Sequence, residues 1–406
     1  MNSLIKLSCI IIKNIRCSLA QNLMMVLFTA TAVFFMNISL ASFRYGNHLN
    51  EFSKTSGLYD SFIFVGDSVK RAYAEYQESG GEDLSRKANE YVAEELEQLK
   101  LDGTIADYTR SCKVGDEAFH KETGVDAEFC FIKPDMLKEL SVSVAEGDWF
   151  DTCPPDYWKK DMVPVVIGNN LKSVYGIGEV FTRDFGGVKM KCTVTGILEH
   201  GTFFLNPNVG GSGMDLNSVV QSADSLVIVA QEYSDSYGSF IVRLPEKNRA
   251  ASEQAVLGKI ADVSDAFSFR HLTDKAQEDN SYGIEMQTTL AVLALLICIA
   301  GTACGNLLSF VRGKKRQAVY FLCGMKPGTG VFCMALENLL KLYLPAAAGL
   351  YVFFTFCRRQ EYHDLYPGAY NVWITGAFIT VIFAASTVRP FSIAKGPVPL
   401  DTIRLS

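Results

Sequence analysis

The chain lacks the short motifs that would mark it as an enzyme. No G-x-x-x-x-G-K-[ST] phosphate-binding loop occurs, and neither G-x-S-x-G nor H-E-x-x-H is present. Its five histidines are scattered without the spacing of metal ligands. We therefore predict that the chain is not an enzyme and that it binds no metal or cofactor directly.

Concentrated basic charge of the kind that binds nucleic acid is also missing. The net charge is -6 overall, but residues 45–285 carry -17 and the rest of the chain carries +11. This split predicts an acidic water-soluble domain and an apolar part with basic edges. Because the basic residues are dispersed along apolar runs, we expect them to meet membrane lipid headgroups and not nucleic acid.

The 11 cysteines include no C-x-x-C pair. Seven of them lie in or beside apolar runs, where a thiol behaves as a small apolar side chain. The other four, Cys112, Cys130, Cys153 and Cys192, lie in the acidic region. If that region faces outward, two disulfides with three possible connectivities are allowed; four reduced thiols are the alternative.

Long apolar runs are abundant. Residues 287–311 form an uncharged run of about 25 residues, which as a helix spans a hydrocarbon core of roughly 30 Å. A basic cluster follows at 312–316, and a second apolar run covers 328–357. The sequence therefore predicts a membrane hairpin whose basic connection, 312–327, lies on the cytoplasmic side.

Two further runs, 22–43 and 370–388, complete a predicted set of four transmembrane helices. Residues 1–20 form an amphipathic segment expected at the inner membrane face, and the tail 389–406 is basic. We predict a multi-pass protein of the cell membrane with cytoplasmic termini. A signal peptide ending near Ala41 is the alternative for the first run, but that run is long for one.

The predicted fold class is a four-helix membrane protein with a large extracytoplasmic α+β domain, 45–285, inserted between helices 1 and 2. Alternating apolar patterns predict strands and amphipathic helices within this domain. The predicted strands are 59–65, 127–132, 163–167, 191–198, 225–230 and 239–244, and the predicted helices are 84–99 and 249–263. Residues 206–213, rich in glycine and proline, are predicted to form a loop or lobe connector.

Four segments of this domain resemble the FtsX/MacB family of ABC transporter permeases. They are residues 137–150, 163–176, Ile177-Gly178 and 191–198, which are similar in order to that family's MacB-like periplasmic core domain. The layout of one helix, a large external domain and three more helices is also that of the family. The resemblance covers nearly the whole chain.

The basic connection is similar to the family's coupling loop, although Gln317 stands where glutamate is usual and Pro327 also departs from the pattern. The resemblance implies that this loop presses a short helix onto an ATPase subunit. The alternative is a loop whose basic residues only follow the positive-inside rule. The implied ATPase-coupling residues are Lys314, Lys315, Arg316, Gln317, Phe321, Leu322, Gly324, Met325 and Lys326.

Three features lie within the predicted spans. Glu337 and Lys341 are four residues apart on one helix face, so they form either a functional intramembrane pair or an interfacial pair that only seats the helix. Gly301 and Gly305 form a G-x-x-x-G, which permits close helix packing within the subunit or between subunits. Residues 344–349, with Pro345, predict a kink or close packing.

The resemblance implies a permease subunit that pairs with a second permease subunit, identical or different, and with cytoplasmic ABC ATPase subunits that hydrolyse ATP. Mechanotransmission to the external domain would then export or extract a peptide, lipoprotein or amphiphilic drug. The alternative is an FtsX-like regulator that passes motion to an external protein such as a peptidoglycan hydrolase. A membrane-anchored receptor without an ATPase is a third hypothesis.

Overall fold

The computed structural model describes residues 19–66, 84–153, 162–185, 188–207, 215–232, 238–261, 264–279, 327–359, 365 and 367–394, with scattered helical positions between 286 and 304. The chain divides into two compact units, Met1–Tyr45 with Ser281–Ser406, and Gly46–Asn280. The boundary falls within a single helix.

Gly46–Asn280 is a large α/β domain, which confirms the prediction of a mixed domain at that level. The helices, in chain order, are α1 Leu19–Thr55, α2 Leu58–Ser61, α3 Leu84–Leu101, α4 Glu117–Thr123, α5 Pro134–Leu137, α6 Leu216–Val219, α7 Arg249–Ile260, α8 269–279, α9 Pro327–Arg359 and α10 Ala369–Ala394. The first of these continues into this domain from the other unit, and the last two belong to the other unit.

The strands are β1 Phe62–Val65, β2 Asp107–Gly115, β3 Glu128–Ile132, β4 Val144–Gly147, β5 Val163–Ile167, β6 Val180–Phe185, β7 Val188–Leu198, β8 Phe203–Leu205, β9 Val220–Ser222, β10 Leu226–Ala230, β11 Ser239–Arg243 and β12 Ala266–Ser268. Ten of them form one mixed sheet in the order β12-β1-β11-β2-β3-β10-β5-β7-β4, with β6 pairing beside β7. Strands β8 and β9 form a separate ribbon.

Alternation along the strands divides the core into two faces. On one face, Val92, Leu96 and Leu99 of α3 pack with Val256 and Ile260 of α7 over β1 and β11. A second cluster on that face joins α4 to the other half of the sheet; it contains Phe119, Phe129, Phe131, Val165, Val194 and Val227. The intervening strand residues, such as Phe64, Cys130 and Ile228, are also buried. The sheet is therefore covered on both faces.

Most predicted elements occur close to their expected bounds, including β5, which is unchanged. The predicted strand 59–65 was wrong in its first half, because Leu58–Ser61 forms a helical turn after Gly57, whose φ is 84°. Strand β2 was missed. Its central residues are polar, yet Thr109 and Ser111 are fully buried, so no apolar alternation marks the strand.

The four cysteines of this domain, Cys112, Cys130, Cys153 and Cys192, are buried thiols in the structure and form no disulfide. Cys112 and Cys130 lie on neighbouring strands, where Cys112 is opposite Phe131 and Lys113 is opposite Cys130. Directly opposed residues share a face, so the two thiols project to opposite faces of the sheet. Burial raises the pKa of the Cys192 thiol to about 12 and also raises that of Cys130. The structure favours the reduced alternative.

Asp107 joins three elements through an ion-pair triad. Its carboxylate lies 2.8 Å from Lys100 Nζ of α3 and 2.8 Å from Lys133 Nζ, which follows β3. Burial alone raises the pKa of the Asp107 carboxyl, but the hydrogen bonds from Lys100 and Lys133 outweigh this effect and the net pKa is lowered. The triad therefore links α3, β2 and the end of β3.

We expect the stabilisation that Asp107 provides to be lost at low pH. Because its pKa is lower in the folded state, the stabilisation is complete above the ordinary aspartate pKa of about 4 and is lost as pH falls through the folded value. At neutral pH, Asp107→Asn should cost about 2 kcal/mol, the range for hydrogen bonds to charged groups. Thermal unfolding from pH 7 to pH 3 measures this, and the variant should show a shallower loss.

Asp135→Asn is the matched control, since that carboxylate is exposed and lies 3.6 Å from Lys138. Equal pH profiles for the wild type and the Asp107 variant would contradict the role given to the triad.

Candidate functional site

The smaller unit contains helices suited to a membrane. Within the described residues, Asn22–Thr55 and Ala335–Cys357 are long and apolar enough to cross a bilayer. The apolar part of α10, Ala369–Ala385, is shorter. Many large apolar side chains on these helices are exposed, among them Leu23, Leu27, Leu344 and Trp373. Such extended apolar surface is expected to contact lipid and not water.

These helices share one apolar core. It contains Ala32 and Val33 of α1, Leu342 and Ala346 of α9, and Ile379 and Ile382 of α10. Cys298, one of the helical positions described between 286 and 304, also belongs to it. The predicted second span, 287–311, is described only at scattered positions, so its course lies outside the described residues. The described part is a helical bundle.

Gly349 lies where α9 approaches α1 closely. A Cβ at this position would lie 2.6 Å from the carbonyl oxygen of Ala30 and 3.2 Å from Val33 Cβ, both on α1. The predicted kink or close packing at 344–349 is therefore realised as close packing, and α9 continues as one helix past Pro345. Glycine permits this contact because it has no side chain.

Glu337 and Lys341 form an ion pair on α9, with Lys341 Nζ 2.6 Å from Glu337 Oε1. Their side chains are 13% and 4% exposed, so the pair belongs to the buried stripe of the helix and not to its surface. Pairing lowers the cost of placing each charge in an apolar environment. The structure brings these two predicted residues together as expected.

The other predicted membrane residues either make no close contact among the described residues or lie outside them. Gly301 is exposed, and a Cβ there would meet nothing within 4 Å among the described residues. Gly305 lies outside the described residues. So do all nine predicted ATPase-coupling residues, Lys314, Lys315, Arg316, Gln317, Phe321, Leu322, Gly324, Met325 and Lys326. The amphipathic segment and the end of the basic tail also fall outside, at 1–18 and 395–406.

A buried amide cluster between α1 and α10 was not predicted. Asn371 Nδ2 donates to Asn37 Oδ1 at 2.8 Å, and Asn37 Nδ2 donates to Thr375 Oγ1 at 2.9 Å. All three side chains are at most 2% exposed. We call Asn37, Asn371 and Thr375 the amide clamp. Asparagines inside apolar runs were the available signal, since an unpaired amide there is costly.

A second unpredicted feature lies within the larger unit, where the end of α1 meets α8. Ser53 and Thr273 are both buried, and their hydroxyl oxygens are 2.6 Å apart. Lys54 Nζ donates to Gln277 Oε1 at 3.2 Å. Residues 269–279 precede the second long apolar run, 287–311, in the chain, so these bonds tie together two chain segments that lead to predicted spans.

The contact continues beyond the helix end. Tyr59 donates to Asp274 Oδ1 at 3.0 Å, and Arg270 Nη2 donates to Asp60 Oδ1 at 2.8 Å. The hydrogen bond to Asp274 and then burial raise the pKa of Tyr59, so the phenol remains a donor at physiological pH. We call Ser53, Lys54, Tyr59 and Asp60 with their four partners the α1–α8 latch. Sequence reasoning missed it because its members are ordinary polar residues far apart in the chain.

The segments that carry the family resemblance are neighbours in the sheet. Strand β7 pairs on one side with β5 and on the other with β4, so residues 137–150, 163–176 and 191–198 meet there. Gly147 has a φ of 78°, and Gly178 N–H donates to Val194 O at 2.8 Å. Trp149 Nε1 donates to Leu137 O at 2.9 Å. These motif residues therefore build one local structure.

No protein-family model matches the chain. No curated protein matches it either. Among solved structures, the chain is similar to a domain assigned to a permease protein from Porphyromonas gingivalis. That likeness has 12% identity and a TM-score of 0.23, and it covers 52% of this chain and 87% of the other.

Proposed function

We propose that this chain is the permease subunit of an ABC transporter of the MacB-like type, with four transmembrane helices. In this proposal a separate cytoplasmic ATPase subunit hydrolyses ATP, and two permease subunits form the membrane part. Motion of the coupling loop is passed to the extracytoplasmic domain, which exports or extracts a peptide, lipoprotein or amphiphilic drug.

The observation that carries the proposal is the α1–α8 latch. Helix α1 includes an apolar span near one end, and at its other end Ser53 and Lys54 are hydrogen-bonded to Thr273 and Gln277. A helix is stiff along its axis, so a displacement of the apolar part reaches its last turn. Because the latch adds buried and charged hydrogen bonds at that turn, α8 must follow α1 or break them.

The coupling loop is the second support, from sequence alone. Its basic rim and the apolar Phe321 and Leu322 supply what a short helix needs to dock on an ATPase surface. The chain itself contains no phosphate-binding loop. Energy for transport would therefore come from a partner.

The test is to purify the tagged full chain under mild conditions and to assay it for a bound ATPase subunit and for ATP hydrolysis. We expect a stoichiometric ATPase, and we expect it to be lost in a variant carrying Phe321→Asp and Gly324→Asp. Leu101→Asp, at an exposed position of the large domain, is the matched control and should retain the ATPase.

Repeated absence of any ATPase from well-folded wild-type protein would contradict the proposal and favour the receptor hypothesis. If the ATPase is present and an external hydrolase is bound and activated without movement of any amphiphile, the FtsX-like regulator takes the place of the transporter. Charge reversal at Lys315 and Arg316 distinguishes the receptor further, since only a receptor should remain active.

A further inference from the structure

We propose that the last turn of α1 is connected to both edges of the ten-stranded sheet by two separate routes. The first route is the α1–α8 latch, and the second runs through the β8–β9 ribbon to Trp149. This inference deepens the proposed function and rests on it for the source of any movement of α1. The two routes themselves consist of contacts within Gly46–Asn280.

The latch leads to one edge of the sheet. Helix α8 directly follows β12, the strand at one end of the sheet, and β12 pairs with β1. Phe269 of α8 packs against Phe64 of β1, with ring centroids 6.3 Å apart, and both side chains are buried. A displacement of Ser53 or Lys54 therefore reaches the edge formed by β12 and β1.

The ribbon leads to the opposite edge. Phe52, the neighbour of Ser53 on α1, contacts Phe203 of β8, with ring centroids 6.2 Å apart. The next residue, Phe204, contacts Trp149, with ring centroids 6.1 Å apart. Successive side chains of a strand point to opposite faces, so β8 lies between α1 and Trp149. Trp149 closely follows β4, the strand at the other end of the sheet.

Backbone hydrogen bonds join the same segments. Ser141 N–H, in the stretch before β4, donates at 3.1 Å to the carbonyl oxygen of Ser56, which directly follows α1. Asp148 N–H, next to Trp149, donates to Thr195 O of β7 at 2.9 Å. The segment that receives the second route is therefore bonded both to the end of α1 and to the sheet.

The ribbon is held against the middle of the sheet. Ser239 Oγ of β11 donates to Pro207 O, just after β8, at 2.5 Å. Lys113 Nζ of β2 donates to Gln221 Oε1 of β9 at 2.9 Å. The side chains of β8 are buried, and close-packed interiors transmit displacement because they are hardly compressible. A ribbon fixed in this way passes a shift of α1 on to the segment that follows β4.

The two routes leave α1 in different directions. Phe52 and Ser53 are consecutive residues of a helix, so their side chains project about 100° apart. The Phe52 contact is aromatic, whereas Ser53 is joined to Thr273 through hydroxyl groups. Each route can therefore be weakened by substitutions that leave the other in place.

The experiment measures amide hydrogen exchange in the full-length protein, reconstituted in lipid nanodiscs without nucleotide. Phe52→Ala removes the aromatic contact to the ribbon. We expect amides 203–205 and 145–150 to exchange about two- to tenfold faster, the range that corresponds to one aromatic pair. Amides 269–279 should keep their wild-type rates.

The latch variant, Ser53→Ala with Thr273→Val, should give the converse result. It removes both hydroxyl groups together, so that neither is left buried without its partner. We expect faster exchange in 269–279 and unchanged rates in 145–150. Phe43→Ala, at an exposed aromatic position of the same helix, is the matched control and should change neither region.

The second route can also be tested from its other end. Coupling between two sites is reciprocal, so a change at Trp149 should be felt at α1. We expect Trp149→Leu to speed exchange of amides 50–56 by a factor similar to that which Phe52→Ala produces in 145–150.

Unchanged rates at 145–150 in Phe52→Ala would overturn the proposal, and so would equal acceleration at 145–150 and 269–279. If Phe52→Ala does not fold, Phe52→Leu takes its place, since it removes the ring and keeps most of the apolar volume. Unchanged rates at 50–56 in Trp149→Leu would overturn the proposal as well. No ATPase takes part, so an absence of ATPase from the purified protein would contradict the proposed function and leave these outcomes unaffected.

Discussion

Replacing Gly349 by leucine is expected to disrupt the helical bundle. Even a single Cβ at this position would lie 2.6 Å from the backbone carbonyl oxygen of Ala30, so α9 and α1 would have to move apart. The neighbouring atom belongs to a helix backbone and cannot rotate away. We expect Gly349→Leu to lower stability by about 3 kcal/mol, the upper end of the range for overpacking. Thermal unfolding of the solubilised full-length protein, followed by loss of the monodisperse species, measures this.

Gly376→Leu is the matched control. It is the same substitution in α10, where a Cβ would meet nothing within 4 Å among the described residues. It should be close to neutral, or slightly stabilising, because glycine costs a helix up to about 1 kcal/mol. If the two variants unfold at the same temperature, the close approach of α1 and α9 is wrong.

Gly147→Ala is expected to have the second large effect, this time in the α/β domain. Gly147 has a φ of 78°, and a Cβ there would overlap the carbonyl oxygen of Thr195 and lie 2.9 Å from Ile177 Cδ1. The left-handed backbone costs a non-glycine residue about 1–2 kcal/mol, and displacement of β7 adds a packing cost. We expect a total loss of about 3 kcal/mol, measured by chemical unfolding of the full-length protein.

Gly124→Ala separates the two causes. Gly124 also has a positive φ, 72°, but a Cβ there would meet nothing within 4 Å among the described residues. It should therefore show only the backbone cost of about 1–2 kcal/mol. A loss as large as that of Gly147→Ala would mean that backbone strain, and not the approach to β7, explains both effects.

Local patterns were sufficient to predict elements whose apolar residues repeat regularly. Val163–Ile167 and Arg249–Ile260 follow from runs of apolar residues and from helical periodicity, and the structure contains both. Strand β2 shows where such patterns fail. It occupies the middle of the sheet with threonine and serine on its buried positions, and their burial depends on strands that come later in the chain.

The functional features could not be predicted from the sequence for a related reason. They are contacts between residues that are far apart in the chain. Asn37 and Asn371 are 334 positions apart, and Ser53 and Thr273 are 220 apart. Composition shows that each residue is polar but not that it has a partner. Glu337 and Lys341 could be paired in advance only because they lie one turn apart on the same helix.

The central claim is that ATP-driven motion in a partner reaches the α/β domain through α1 and its latch. Hydrogen exchange of the purified complex in nanodiscs, with and without a non-hydrolysable ATP analogue, tests this most directly. The account predicts that amides 49–61 and 269–279 change their protection when the analogue binds, and that Ser53→Leu with Thr273→Leu reduces the change in 269–279. A complex that hydrolyses ATP but shows the same protection throughout 46–280 in both states would contradict it.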